Sequence, residues 1–257
     1  MVAPLTGPAP RRPVLRLYDG NYSTPSPFTP VTFTQAGRNG AILHNSITAA
    51  GIGSSVVFGY PYWGPNVAQV PIGATMLAGI ITDSAVTVTP PSGWTQATTV
   101  TNGSIKISGF YKLVTATEGE TATFSLSASC GYAGVFYALQ GVTTSSPLDK
   151  TATTSSTNTA ASITLGTGTT ATTAQANEAV IAIMGSSLGG GASIINNVTA
   201  GYSIRGQTQT GKLNIAVADK FVTATGAQVA AGNANALASD SNTAVGLVFT
   251  MKGNGAP

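Results

Sequence analysis

Thiols, imidazoles and charge are nearly missing from this chain. Its 257 residues hold one cysteine, Cys130, and one histidine, His44. A disulfide within the chain is excluded, and so is a zinc centre, which needs clustered Cys and His. Cys130 reads as a small apolar packing residue. A Ser-His-Asp site would have to use His44, which sits in Leu43-His44-Asn45-Ser46 on a strand-like run with no Gly-x-Ser-x-Gly elbow to match. Charged residues make up 7% of the chain, against about 25% in ordinary soluble domains. The eight acids are Asp19, Asp83, Glu118, Glu120, Asp149, Glu178, Asp219 and Asp240. None forms an evident glycosidase pair, and no Asp-x-Asp spacing supports a calcium loop. Glu118 and Glu120 read as solvated turn acids, and Asp219 with Lys220 as an exposed ion pair. Gly189-Gly190-Gly191 lacks the Gly-Lys-Ser/Thr of a phosphate loop. No apolar run reaches the roughly 18 residues of a membrane span. No apolar h-region follows the N-terminus, so synthesis in a cytoplasm without a signal peptide is expected. The expectation is a non-enzyme with no catalytic residue, metal or cofactor, and with no membrane partner.

What is abundant is Gly, Thr, Ser and Ala, in a chain that is 42% hydrophobic and therefore not of disordered composition. No segment carries helical periodicity over three turns. Short strand-like runs follow one another instead: 41–49, 54–60, 74–83, 86–88, 104–115, 122–128, 132–142, 163–165, 179–185, 202–207, 213–222, 227–231 and 244–251. Ile105, Ile107 and Gly109 share one face, as do Phe124 and Leu126. Pro90-Pro91 ends a strand, Gly93 takes the turn, and Trp94 is free to cover one end of a core.

The chain also repeats itself. Lys112-Leu113-Val114-Thr115-Ala116-Thr117 returns 108 residues later as Lys220-Phe221-Val222-Thr223-Ala224-Thr225, with Gly93-Trp94 returning as Gly201-Tyr202. Val135–Leu139 is matched to Val245–Phe249, an offset of 110. These features predict an all-β fold: a jelly-roll-like antiparallel sandwich built from two related halves, about 41–145 and 160–253, within one body spanning 41–257. Each half is expected to contribute to both sheets, and the Thr/Ser-rich crossing 143–176 to be loop apart from Ile163–Leu165. Two separate immunoglobulin-like domains are the alternative.

Residues 1–40 hold seven of the 14 prolines and carry Arg11, Arg12, Arg16 and Arg38 against Asp19; the rest of the chain balances seven basic against seven acidic residues. Proline opposes helix and central strand alike. The segment therefore predicts an extended arm that docks on an acidic protein surface through Arg11, Arg12, Arg16, Leu17, Tyr18, Phe33 and Arg38. Val14–Tyr18 and Val31–Thr34 are pieces able to add to a neighbour's sheet edge. Four arginines without interleaved aromatics do not make a nucleic-acid site. Tyr60, Tyr62 and Trp63 form an aromatic turn, read first as a core-edge plug and second as a glycan platform.

Pro90-Pro91-Ser92-Gly93-Trp94-Thr95, Gly109-Phe110-Tyr111-Lys112 and Gly141-Val142-Thr143-Thr144-Ser145-Ser146-Pro147-Leu148-Asp149 resemble a β-sandwich common in virion proteins of tailed bacteriophages. The second half is similar through Gly201-Tyr202, Ala216–Lys220 and Ala244–Lys252. The likeness covers about residues 70–252, with Tyr202 where the pattern has Trp, and leaves the arm outside. It implies a non-catalytic minor tail protein on the virion. Together with the arm, which the likeness does not reach, the expectation is a chain held by its arm to other virion proteins, homo-oligomeric within the particle, and placed on the tail rather than the capsid surface. A capsid decoration protein is the first alternative. The second is a carbohydrate-binding adhesion module that takes a host surface glycan on Tyr60, Tyr62 and Trp63.

Overall fold

The computed structural model describes residues 42–59, 70, 72–116, 118–119, 121–159, 162–189, 194–235 and 241–254. Every described element is a strand, and every pairing is antiparallel. In chain order they are β1 (Ile42–Gly59), β2 (Thr75–Thr82), β3 (Val88–Thr89), β4 (Thr95–Asn102), β5 (Ile105–Leu113), β6 (Thr121–Leu139) and β7 (Leu148–Asn158). There follow β8 (Ser162–Gly166), β9 (Glu178–Ser187), β10 (Ile195–Asn196), β11 (Ser203–Thr210), β12 (Leu213–Val222), β13 (Ala231–Asn235) and β14 (Asn242–Lys252). They build three sheets. The first runs β1-β6-β2-β5-β4 with β3 beside β6, the second runs β11-β12-β9-β14-β7, and the third runs β10-β13-β8.

Taken from its other edge, the second sheet is β7-β14-β9-β12-β11, the order of the first sheet written again. Fine detail repeats with it. Gly93 and Gly201 both hold positive φ, 80° and 88°, the left-handed region that costs glycine nothing. Each sets up the same turn, in which the amide of Trp94 donates to Pro91 O and that of Tyr202 to Thr199 O, both at 3.2 Å. The hairpins β4–β5 and β11–β12 turn at Gly103 and Gly211, and each carries a bulge at matching places, around Ala97 and Arg205. All these pairs stand 108 residues apart. The last strands stand further apart than the sequence suggests. Val135 lies opposite Gly79 in β2 and Leu247 opposite Ile183 in β9, so the true partner of Val135 is Leu247, at an offset of 112. The two-residue correction is even, so every side chain keeps its face.

The first two sheets pack face to face. Leu77, Ile81, Ile107, Val135 and Leu139 of one join Ile181, Ile183, Ile215, Leu247 and Met251 of the other in one buried cluster. Glycines let knobs through. A Cβ on Gly79 would lie 2.8 Å from Ile183 Cγ2, and a Cβ on Gly185 2.7 Å from Ile81 Cδ1. Gly79 and Ile183 occupy equivalent places in the two halves, as do Ile81 and Gly185. Each half thus offers glycine where the other offers isoleucine. At the rims, β4 lies against β7 and β1 against β11. Asn102 Nδ2 donates to Ser156 O at 2.9 Å across the first of these contacts.

Each sheet is covered on its outer face as well. In the first half, the far ends of β1 and β6 fold back so that Phe58 and Phe124 pack with Phe110, Phe136 and Trp94. Ring centroids there are 5.1–6.1 Å apart, the spacing of favourable aromatic pairs. In the second half the same cover is the separate sheet β10-β13-β8, which buries Ile163, Leu165, Ile195 and Ala234 on Met184 and Ala216. Gly246 makes that close fit possible, since a Cβ there would run into the Gly166 carbonyl.

Several expectations are corrected. Neither large sheet mixes strands from both halves; each half pairs with itself and shares only the space between. Runs 41–49 and 54–60 are one strand, as are 122–128 and 132–142, because bulged β structure carries β1 and β6 through their glycines. The crossing 143–176 is not loop apart from Ile163–Leu165: Leu148–Asn158 is the edge strand β7. Thr95–Asn102, passed over in the sequence, is β4.

Candidate functional site

Polar and ionisable groups inside the body gather in the second half. β12 turns Leu213, Ile215 and Val217 toward the shared core, and alternation turns Asp219 the same way. Asp219 is fully buried there, with Arg205 Nη2 at 2.7 Å and Nε at 2.8 Å from its Oδ1. Arg205 reaches it because the β11 bulge re-aims that residue. Tyr137, from the opposing sheet, completes the group. Its phenol is held far above the ordinary range by burial and then by the Asp219 charge, against the pull of Arg205. Across the repeat, Arg205 and Asp219 correspond to Ala97 and Tyr111 of the first half, and Tyr137 to Phe249 of the second. The expected exposed Asp219–Lys220 pair is therefore not formed. Burial lowers the Lys220 pKa, and its amine lies 4.6 Å over the Tyr202 ring. Glu118 is no free turn acid either, since its Oε2 is 2.7 Å from Lys112 Nζ.

A second group lies on the other face of the second sheet. Glu178 opens β9 and is fully buried, at the place held by Ala74 in the first half. Asp149 of β7 faces it. Burial pushes Glu178 up to about 7 and Asp149 adds to the rise; the nearby Thr250 hydroxyl and Gln175 amide oppose it, although neither carboxyl oxygen is hydrogen-bonded. Burial alone would raise Asp149 too. Its bonds from the Ala174 amide at 2.6 Å and Lys150 Nζ at 3.1 Å outweigh that and hold it below the usual carboxylate range. Two neighbouring carboxyls, of which only Asp149 is paired with a cation, favour a shared proton.

The amides of Ala174 and Gln175 belong to a strap built on threonine. In each of three clamps a Thr amide donates to a carbonyl while the same Thr hydroxyl accepts from that residue's own amide. The partners are Thr167 with Ala230, Thr170 with Gln228, and Thr199 with Ala231. Thr173 clamps Gly226 in the same way, with its Oγ1 3.2 Å from the Gly226 amide. Thr-x-x-Thr-x-x-Thr at 167, 170 and 173 is the sequence signal for the strap, and it passed as loop composition.

One open cleft of about 210 Å³ lies where the halves meet, lined by Ile52, Asp83, Gly131, Ser187 and the β11–β12 turn through Lys212. Asp83 Oδ1 accepts from the Gly131 amide at 2.8 Å there. Cys130 is buried in the outer core of the first half, where burial raises its thiol. His44 lies in β1. Arg11, Arg12, Arg16, Leu17, Tyr18, Phe33, Arg38, Tyr60, Tyr62 and Trp63 lie outside the described residues. Among the described residues no three of His, Cys, Asp and Glu are grouped to hold a metal ion, and no helix is long and apolar enough to cross a membrane. What the buried groups can do chemically is lock strands and hold a proton. No protein-family model, curated protein or solved structure matches the chain.

Proposed function

We propose that this chain is a non-enzymatic structural protein of a tailed-phage virion, a minor tail protein docked by residues 1–40 with the β body projecting outward. In this reading each half is one jelly-roll-like unit, and the two are stacked back to back. The observation that carries it is where the body places its charges. Lys112 with Glu118 ties strand to turn, Arg205 with Asp219 ties strand to strand, and Lys150 covers its neighbour Asp149 within β7. The outward positions of β6 and β7 are instead exposed Thr and Ser, such as Thr121, Thr123, Ser125, Thr153 and Ser155. Charge serves internal fastening, and a weakly charged hydroxyl coat faces out, as suits a wall element held in an assembly. The Pro-Pro-Ser-Gly-Trp motif agrees. Its Gly93 takes the left-handed turn and its Trp94 closes the aromatic cluster. The partners are other virion proteins, met through the arm, and further copies of the chain.

Deleting residues 1–40 tests the reading. The truncated body is expected to fold and to be missing from purified particles. Its incorporation at normal levels would refute docking by the arm. Copy number per particle separates a tail protein, present in few copies, from a capsid decoration protein, present in many.

A further inference from the structure

We propose that the strap 167–176 is a proton-gated closure: it lies shut while the Asp149–Glu178 pair holds one proton and loosens when Glu178 ionises. The geometry is a buried acid pair with the strap anchored on it. The Ala174 amide donates to Asp149 Oδ2 at 2.6 Å, and Glu178, into which the strap runs, is fully buried with neither carboxyl oxygen hydrogen-bonded. Just upstream, Thr167, Thr170 and Thr173 clamp the strap to residues 226–230. Gln175 Nε2 bonds Gly253 O, and the Gly253 amide bonds Asn177 O, so the end of β14 is tied to the same place.

The surroundings offer Glu178 little help in ionising. On β7 the only cation is Lys150, whose amine lies on Asp149 Oδ1 at 3.1 Å. On β14, Lys252 stands opposite Glu178 in register but sends its amine to Ser146 O at 3.2 Å, and Thr250 supplies only a hydroxyl. On β12, Val222 is opposite, and Lys220 lies over Tyr202. A second negative charge would thus sit buried beside Asp149 with no hydrogen bond to either of its oxygens. Hydrating that charge requires its surroundings to open, and the strap is the segment that runs directly into it.

Hydrogen exchange on the full chain tests this at about pH 5.5 and about pH 8, after correction for intrinsic rates. With Glu178 at about 7 when closed and 4.5 when open, linkage makes opening roughly thirtyfold easier at the higher pH. The amides of Thr170, Gly226, Gln228 and Ala230 are expected to lose about that much protection relative to Ile183 and Ile215. In Glu178→Gln the strap amides are expected to keep their protection at both pH values. The same loss in E178Q, or equal loss in strap and core, would overturn the proposal. If E178Q does not fold, a carbon-13 titration of Glu178 in the unmodified chain decides. Its midpoint is expected near 7 and to coincide with the strap transition; a midpoint in the ordinary range would overturn the proposal. Millimolar calcium at the higher pH is expected to leave the strap open. Closure by calcium would make this a cation site and not a proton gate.

Discussion

Gly79→Ala puts one methyl group into the seam between the two large sheets. Its Cβ would lie 2.8 Å from Ile183 Cγ2, 3.0 Å from Ile183 Cδ1 and 3.1 Å from Val217 Cγ2. These are atoms of buried, stiff, β-branched residues in the facing sheet, so neither can swing away. Overpacking of this kind costs about 1–3 kcal/mol. Ile183→Ala alone opens a cavity and costs about 2–5 kcal/mol. Together the two changes compensate, because an alanine in place of Ile183 lacks both clashing carbons and the new methyl fills part of the space. The double variant should be more stable than the sum of the singles by about 1–3 kcal/mol. Urea unfolding of the four proteins, followed by Trp fluorescence and by circular dichroism, measures the coupling. Additivity within about 0.5 kcal/mol would refute the argument. So would two separated transitions, which would mean that the halves do not share an interior.

The other expectations follow the same logic. Arg205→Met leaves the buried Asp219 carboxylate without its guanidinium and should cost about 3–5 kcal/mol in urea unfolding. Trp94→Ala should cost about 3–5 kcal/mol, because it guts the aromatic cluster. Tyr202→Phe should be near neutral, since the buried Tyr202 hydroxyl has no hydrogen-bond partner to lose. Thr170→Val removes the acceptor for the Gln228 amide and should cost about 1–3 kcal/mol. Glu178 has a folded-state pKa of about 7, above its ordinary 4.5. Its contribution is therefore complete below the lower value and is lost as pH rises through the upper one. Asp149, held low, adds the opposite loss only in stronger acid. Urea midpoints should fall between pH 5 and 8 by an amount worth up to about 3 kcal/mol, and should stay flat in E178Q.

The doubled plan was legible because its punctuation repeats. Gly93 and Gly201, and Gly103 and Gly211, meet the same left-handed requirement, and few residues can replace glycine there. The core strands were legible from their continuous apolar runs. β4 and β7 were not. Thr95–Asn102 and Leu148–Asn158 lie at sheet edges and present mostly Thr, Ser and Asn, so they carry little apolar alternation to read. The offset of the last strands was misread because Val-rich runs match one another in several registers; only the pairing to Gly79 and Ile183 fixes it. The buried acids were misjudged for a similar reason. Asp219 next to Lys220 reads as a local pair, whereas its partner Arg205 is brought in by a hairpin and aimed by a bulge. Asp149 and Glu178 meet only because β14 stands between their two strands.

The most direct test of the account is to purify the phage particles and locate this chain within them by mass spectrometry and electron cryo-microscopy. The account predicts a fixed small copy number on the tail, with density for a body of two large stacked sheets, one of six strands and one of five, reached through residues 1–40. A chain that stays in the cleared lysate and never enters particles would contradict it.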